Sequence, residues 1–527
     1  MLKKLKKMSK KFNITGNCHE DEHYMADVSQ KLEQTFRMVE EGDYFIINRP
    51  RQYGKTTTLF SIAAKYSHAA DYGVFNLSFE GMGDKIFETE KDFCITFVKN
   101  LARYATLSIP EVEQWLKEIA PTVHDLDILS DTITELTNKT NRKLILIIDE
   151  VDKSSNNQLF VSFLAMLRNK YLIRRSFKTF HSIVLAGVHD VKSLKLKIRS
   201  DEEQKYNSPW NIAAEFKVNM NLQVSEIVPM LIEYAADKAV EMDTQQIAER
   251  LFYYTSGYPF LVSKLCKMLD EDFLPEKTVR TWTEHDLELA VQELVKENNT
   301  NFDTLIKNLE NNPELYKMVY EIAIENSPRP FNAHNPTRNF AYLYGILVQN
   351  NGTARIHNRI YQEVIVNYMI DKTHDESRNQ DENFGGIYKN DDNTLNMEAV
   401  MLGFQAFMKK EYSKKDRDFL EKNGRLVFLA FLKPIINGSG YDFKEPQISD
   451  EKRLDVVITH LKSKYVAELK LWRGPKAHEK GILQLVDYLN LQSLSEGYLM
   501  IFDHSEIKNW QSEWLEVEDK RIFVVWV

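Results

Sequence analysis

Between Tyr44 and Val218, short apolar runs recur with helix-length segments between them: YFIIN, GVFNLSF, KLILIIDE, HSIVLAG and IAAEFKV. Each run is too short to be a helix, and the segments between them are too long for hairpin turns. The arrangement that covers both faces of such strands is a parallel sheet flanked by helices, an α/β fold. Residues 1–220 are therefore predicted to form an α/β core. Residues 221–370 change pattern: in EIVPMLIEYAADKAVEM, apolar residues recur at three and four, as on one helix face. The end of this segment, FAYLYGILVQNNGTARIHNRIYQEVIVNYM, reads helix, strand, turn, strand, helix. That order suits a winged-helix subdomain, which either reads DNA or serves as a rigid packing module.

Residues 371–396 carry seven acidic and three basic side chains, few apolar ones and a Gly-Gly pair. Such a stretch buries too little surface to fold alone and is predicted to be a linker, or ordered only by its neighbours. Residues 397–527 hold twenty acidic and twenty basic side chains, and strand patterns return, so a further domain starts there. Only Cys18, Cys94 and Cys266 are present among 527 residues, far apart, which argues against a disulfide framework or zinc site and for a reducing cytoplasm. No apolar run approaches the roughly 18 residues that cross a membrane. Six lysines among the first eleven residues lack the apolar stretch of a secretory signal and read as a solvated tail. A net charge of −9 argues against a nucleic-acid coat protein but leaves room for a local basic groove.

The strand YFIIN runs into NRPRQYGKTTTLFSIAAKYS, with Gly54, Lys55 and Thr56 at the start of a helix pattern. This is the setting of the phosphate-binding pattern G-x-x-x-x-G-K-[ST], although Arg49 stands at its first glycine. A helix N-terminus offers free N–H groups and a positive dipole end to phosphates. The candidate nucleotide loop is thus Arg51, Gln52, Tyr53, Gly54, Lys55, Thr56 and Thr57. Lys55 reaches the β- and γ-phosphates, and Thr56 holds Mg²⁺. The partner motif is KLILIIDEVD, a strand ending in Asp149 and Glu150. Asp149 is a second oxygen ligand for Mg²⁺, and Glu150 orients the attacking water.

NRPRQYGKTT, LIIDEVD and TSGYPFLVSKLC together resemble the AAA-like ATPase domain of a bacterial protein family within the P-loop NTPases. That family is similar to the signal-transducing branch of regulatory ATPases, and its members carry an Arg-Pro pair where other loops begin with glycine. The resemblance implies ATP as ligand and a specialised loop around Arg49. Gly257–Pro259 then reads either as a nucleotide sensor or as the turn that starts a helix. His189 and Asp190 fall at a sensor position or are ordinary loop residues. Arg174 and Arg175 are arginine fingers for a neighbouring subunit, or merely solvated.

The C-terminal region contains EKRLDVVITHLKSKYVAELKLWRG, two strands at roughly Arg453–His460 and Lys464–Leu471. If Leu461 pairs with Lys464, Asp455 lies opposite Lys470, with Glu468 one diagonal step away at about 7–8 Å. Asp455, Glu468 and Lys470 then share a face, while Tyr465, Ala467, Leu469 and Leu471 point into a core. Two carboxylates hold Mg²⁺ or Mn²⁺, and a lysine stabilises charge at a phosphate, as phosphodiester hydrolysis requires. The alternative is a salt-bridged hairpin surface.

The order helix (about 416–433), strand YDFKEPQIS, these two strands, helix GILQLVDYLN and strand GYLMIFD is αβββαβ. With D-x₁₂-E-x-K, it resembles the PD-(D/E)XK nuclease superfamily, a restriction-endonuclease-like fold, with Leu454 in place of the proline. The resemblance implies that Gln484 and Tyr488, four apart on one helix, lie beside the active site. Glu421 is the extra acid of the first helix, and Glu445 and Gln447 face the same cleft. The whole reads as an ATPase joined to a metal-dependent nuclease gated by nucleotide state. Its expected partners are nucleic acid, DNA before RNA, and further copies of the chain, with no membrane. By analogy of architecture alone, the setting is defence against foreign DNA. The rival is a non-catalytic switch whose nuclease-like domain binds nucleic acid or a protein.

Overall fold

A computed structural model describes residues 10–151, 157–188, 210–323, 329–330, 335–350, 352–375, 388–390, 392–411, 427–429, 431–432, 435–436, 440–443, 456–460, 463–472, 474–503 and 510–527. The chain divides into two compact units. One comprises Met1–Asn301, Asn332–Val348 and His357–Ile360; the other comprises Phe302–Phe331, Gln349–Ile356 and Tyr361–Val527.

The first unit begins with α1 (Ser29–Glu40), β1 (Tyr44–Asn48), α2 (Lys55–Ser67), β2 (Tyr72–Ser78), α3 (Glu90–Ser108), α4 (Glu113–Ile119) and α5 (Leu126–Lys139). It continues with β3 (Lys143–Asp149), α6 (Gln158–Leu172) and β4 (Ser182–Gly187). The four strands form one parallel sheet in the order β1-β4-β3-β2. Every residue of β3 after Lys143 is buried, as a strand covered on both faces requires. Phe93 and Phe97 of α3 and Phe160 and Phe163 of α6 join Leu144, Leu146 and Ile148 in one apolar cluster.

The fifth apolar run, IAAEFKV, does not become a strand. Only Ala214 bridges to Phe45, its N–H donating to the Tyr44 carbonyl at 2.8 Å. The carbonyls of Phe216 and Val218 instead accept from the Arg49 guanidinium (3.2 and 3.1 Å), and the Phe216 ring stacks on Phe45 at 5.9 Å. A side-chain cation thus takes the acceptors that a ladder would use. The lysine-rich start is also partly folded: Lys11 bridges to His23, and Lys10 pairs with Glu233 at 2.6 Å.

Four helices follow: α7 (Val224–Lys238), α8 (Thr244–Thr255), α9 (Pro259–Met268) and α10 (Glu284–Lys296). Next come α11 (Thr300–Glu310), α12 (Pro313–Ala323), β5 (Arg329–Pro330), α13 (Pro336–Leu343), β6 (Leu347–Asn350), β7 (Thr353–Ile356) and α14 (Arg359–Asp375). The elements α13, β6, β7 and α14 reproduce the predicted helix-strand-strand-helix order.

In the second unit, α15 (Met397–Glu411) precedes β8 (Gly440–Phe443), β9 (Val456–His460), β10 (Ser463–Leu471), α16 (Pro475–Leu491), β11 (Glu496–Phe502), β12 (Ser512–Val517) and β13 (Lys520–Trp526). Of the helix expected near 416–433, residues 427–429 and 431–432 are helical, while 416–426, 430 and 433 lie outside the described set; α15 lies upstream of it. The sheet order is β12-β13-β11-β10-β9-β8, with β10, β11 and β13 parallel and the other pairs antiparallel. Leu485, Val486 and Leu489 of α16 pack on Val457, Val466, Leu499 and Ile501. Phe502, of opposite parity on β11, meets Phe404 of α15 at 6.4 Å, so helices cover both faces.

The hairpin register differs from the expected one by two residues: Ser463 pairs with His460 and Val466 with Val457. In the register expected from Leu461–Lys464, Glu468 would oppose Val457; the observed pairing matches valine with valine beneath α16. A shift of two preserves facing, so Glu468 and Lys470 still share a side. That side also carries Val466, so it faces α16 and not open solvent.

Gly257, at φ +72, exchanges contact with Leu222, whose N–H donates to its carbonyl at 2.8 Å. A Cβ there would lie 1.9 Å from the Leu222 carbonyl oxygen. Gly257→Ala is therefore expected to destabilise the protein by about 3 kcal/mol, from backbone strain plus overlap. Gly83→Ala, where a Cβ meets nothing within 4 Å, is the control. Equal melting temperatures for the two variants would refute this reading.

Candidate functional site

Strand β1 delivers the chain to Asn48, and Gly54, at φ 78 and ψ 10, caps α2 in the left-handed region that a side chain resists. Gln52 is also left-handed, at φ 56. These turns curl the loop so that Lys55, only 6% exposed, donates from Nζ to the carbonyls of Arg49 (3.0 Å) and Pro50 (2.8 Å). A buried ammonium needs such acceptors, because an uncompensated one is very costly. Arg49 serves the loop from outside. Besides Phe216 and Val218, its guanidinium bonds the Asn48 carbonyl at 3.0 Å and lies over the Phe216 ring. The missing glycine is thus replaced by a tie, and the loop keeps its curl.

The outer side of the loop is braced. The Tyr53 hydroxyl bonds Asn221 and, at 2.9 Å, His357 Nε2, and its ring meets Tyr258 edge-on at 4.7 Å. Burial pushes the Tyr53 phenol pKa well above its usual value, so it stays neutral. The Tyr258 hydroxyl donates to the Arg51 carbonyl at 2.8 Å, and Asn301 donates to Gln52 at 3.1 Å. Gly345 approaches so closely that a Cβ would lie 2.6 Å from Pro50 Cγ. Gly257–Pro259 starts a helix, with Pro259 opening α9, and through Tyr258 it also grips the loop.

Asp149 ends β3, is 7% exposed, and accepts at Oδ1 from the Glu150 N–H at 2.9 Å. Glu150 is left-handed at φ 53, a strained setting that turns the chain sharply after the acid. The loop and Asp149 lie at the carboxyl ends of β1 and β3, with β4 between them. Carboxyl ends of parallel strands are where ligands bind in open α/β sheets. His189 and Asp190 lie outside the described residues. Arg174 is exposed, its guanidinium over the Tyr171 ring at 3.6 Å, and Arg175 is exposed too.

Sequence reasoning missed the segment before α1. A cavity of about 450 Å³ is lined by Gly54, Thr57 and Thr58 on the loop side and by His23, Tyr24 and Val28 opposite. The Cys18 N–H donates to the Thr57 hydroxyl at 3.4 Å, and Phe12, 2% exposed, packs on Tyr24 and Tyr234. A few aromatic residues in a polar stretch show no periodicity, so the sequence carried little signal for this wall.

In the second unit, Glu468 is 1% exposed and pairs with Lys470 Nζ at 2.6 Å. Lys470 and Gln484 line a cavity of about 350 Å³ under α16; Tyr488, one turn further, is buried in the apolar cluster. Asp455, Glu421, Glu445 and Gln447 lie outside the described residues. Among the described residues, no group of three or more His, Cys, Asp or Glu side chains could hold a metal.

The AAA-like domain family matches residues 17–365. The chain belongs to that family. It has the nucleotide-binding α/β fold of AAA-like P-loop ATPases. Similar solved structures include a Walker-type ATPase of Pyrococcus abyssi, at 12% identity and TM-score 0.46, covering 67% of this chain and 99% of that one. The ORC2 protein of Aeropyrum pernix, in ADPNP and ADP complexes, matches at 16% and 0.36, covering 66% and 93%. A RuvB Holliday junction branch migration motor of Thermotoga maritima matches at 14% and 0.32, covering 63% and 92%. The family assignment rests on the domain match, not on these structures. No curated protein matches the chain. No described helix is long and apolar enough to cross a membrane.

His23 in the cavity wall is 5% exposed and accepts at Nδ1 from the His19 N–H at 2.9 Å. Burial lowers its pKa below the usual value near 6.5, and burial lowers that of His181 in the same way. The folded state therefore binds fewer protons than the unfolded one. This stability is complete above about pH 6.5 and is lost as pH falls below it. Melting temperature should drop on acidification from neutral, less steeply in His23→Gln. An equal slope in the variant would remove His23 from the effect.

Proposed function

We propose that the chain is an ATPase whose second unit is a Mg²⁺-dependent nuclease controlled by nucleotide state. The observation that carries the first half is the Lys55 ammonium at the start of α2, held inside a loop that opens onto a cavity beside the helix N-terminus. In that reading, the cavity takes the nucleoside, and the backbone from Arg51 to Thr57 takes the phosphates. Lys55 exchanges its carbonyl partners for β- and γ-phosphate oxygens. The Thr56 hydroxyl and the Asp149 carboxylate are hard oxygen donors suited to Mg²⁺, which neutralises phosphate charge when bound. Glu150 holds the water in line with the γ-phosphorus and accepts its proton. Tyr53 acts as a positioning residue, since its hydroxyl is committed to His357 and Asn221.

For the nuclease half, support comes from a near-fully buried carboxylate, Glu468, beside Lys470 at the edge of a cavity. The strand order antiparallel β8-β9-β10, then parallel β11, is that of the fold it resembles. Glu468 fits a hard cation by its chemistry, with Asp455 as the second ligand on this reading. Such a cation acidifies water and neutralises the scissile phosphate. Lys470 binds the phosphate oxygen on which charge develops. The substrate is DNA before RNA, and the working form is a homo-oligomer. The close Lys470 pairing also suits a switch that binds without cutting, and metal-dependent nicking of DNA separates the two.

Lys55→Ala should weaken ATP binding by at least about tenfold in calorimetry, having lost a charge-assisted bond of roughly 1.5–3 kcal/mol. Glu150→Gln should bind ATP like the parent and not hydrolyse it; hydrolysis at the parent rate would take Glu150 out of the mechanism.

Nicking of supercoiled DNA with Mg²⁺ or Mn²⁺ should be abolished in Asp455→Ala, Glu468→Ala and Lys470→Ala. If the parent cuts and all three variants cut equally well, the hairpin is not the site. If the parent cuts neither DNA nor RNA in any nucleotide state, the switch reading stands.

A further inference from the structure

We infer that the cavity beside Lys470 receives one unstacked base of a single-stranded nucleic acid, with the adjoining phosphate at Lys470. The inference rests on the nuclease reading of that face and adds the form of substrate. The cavity, about 350 Å³, has room for a single heterocycle but not for stacked base pairs. Its floor is apolar, from Leu499 and Ile501, which pair with Glu468 and Lys470 across β10 and β11. Its wall is the Trp472 indole. Gln484 supplies an amide with both donors and acceptors, suited to a base edge, while Lys470 and Lys480 supply positive charge for the backbone.

The stacking wall is already in place. Trp472 lies 4.6 Å from the Trp526 ring and 5.8 Å from His478, and its N–H group in the backbone donates to the Phe502 carbonyl at 2.9 Å. An indole fixed on two sides loses little rotamer freedom when a base stacks on it. Burial lowers the His478 pKa, so its ring is neutral near pH 7 and adds stacking surface rather than charge. Trp472 follows the end of β10, Phe502 ends β11 and Trp526 ends β13. These are the carboxyl ends of three parallel strands, where open α/β sheets place ligands. A purely apolar ligand would have no use for the two lysines. A base within a duplex cannot reach the floor without leaving its stack.

The test uses the full chain with Ca²⁺ in place of Mg²⁺, so that Glu468 can keep a cation while nothing is cut, with fluorescently labelled oligothymidylate and a blunt duplex of equal length. The parent should bind the single strand more tightly than the duplex. Trp472→Ala should weaken single-strand binding about tenfold, the scale of one lost stacking contact. Gly481→Leu, which fills the cavity from α16, should do the same, with melting curves recorded for both. Independently of any variant, a strand of equal length that keeps its phosphates but lacks all its bases should bind about tenfold more weakly than oligothymidylate. Equal binding of single strand and duplex by the parent, or of the baseless and intact strands, overturns the inference. The nuclease reading fails separately: a parent that shows the base-dependent binding but never cuts with metal loses its catalysis and keeps its pocket. A parent that cuts duplex and single strand equally, Gly481→Leu included, keeps its catalysis and loses the pocket.

Discussion

The buried ammonium of Lys55 is the constraint around which the first unit is arranged. A lysine 6% exposed must find oxygen, and here it finds the carbonyls of Arg49 and Pro50. Gln52 and Gly54 are left-handed, which curls the loop after those carbonyls, and Gly54 caps the start of α2 beside the cavity. A triphosphate would compete for that ammonium, so nucleotide and loop conformation are thermodynamically linked. The outer brace determines where the linkage goes. Tyr258, His357, Asn301 and Gly345 touch the loop from segments far away in sequence, so a change in loop path is felt at each of them.

What could be read from the sequence was what is local. The strands β1 to β4 and the Gly54-Lys55-Thr56 triplet are visible because burial on both faces leaves an apolar run, and the loop chemistry occupies adjacent residues. Two of the failures involve partners distant in sequence. IAAEFKV has the composition of a strand, yet Arg49, more than 160 residues earlier, takes its carbonyls. The wall formed by His23, Tyr24 and Val28 depends on Phe12 meeting Tyr234, which no periodicity announces. At the hairpin, facing was legible and register was not. Facing depends on alternation within one strand, whereas register depends on which valine meets which.

The two sheets differ in topology but obey one rule about where chemistry can sit. In the first, the Lys55 loop and Asp149 stand at the carboxyl ends of parallel strands; in the second, Lys470 and Trp472 stand at the corresponding end of β10. Strand interiors in both are closed by helices, so a buried charge there is costly. Glu468 is an exception that the second sheet tolerates: it lies within β10 under α16 and is 1% exposed.

That exception explains why its neighbours are what they are. A carboxylate this deeply buried is tolerated only with a positive partner, and removing the partner leaves an uncompensated charge that typically costs about 3–5 kcal/mol. Lys470 supplies the partner at 2.6 Å, with its stem along Gly481, where a Cβ would lie 3.7 Å from it. Yet Lys470 is itself 37% exposed, so its amino group can turn toward a phosphate if another cation takes its place on Glu468. On the nuclease reading, the lysine and a divalent cation are therefore successive partners of the same carboxylate. The chain then needs no rearrangement of β10 to pass from one to the other. On that reading, the side chain that neutralises Glu468 without metal would be the one freed to meet the substrate once metal is bound.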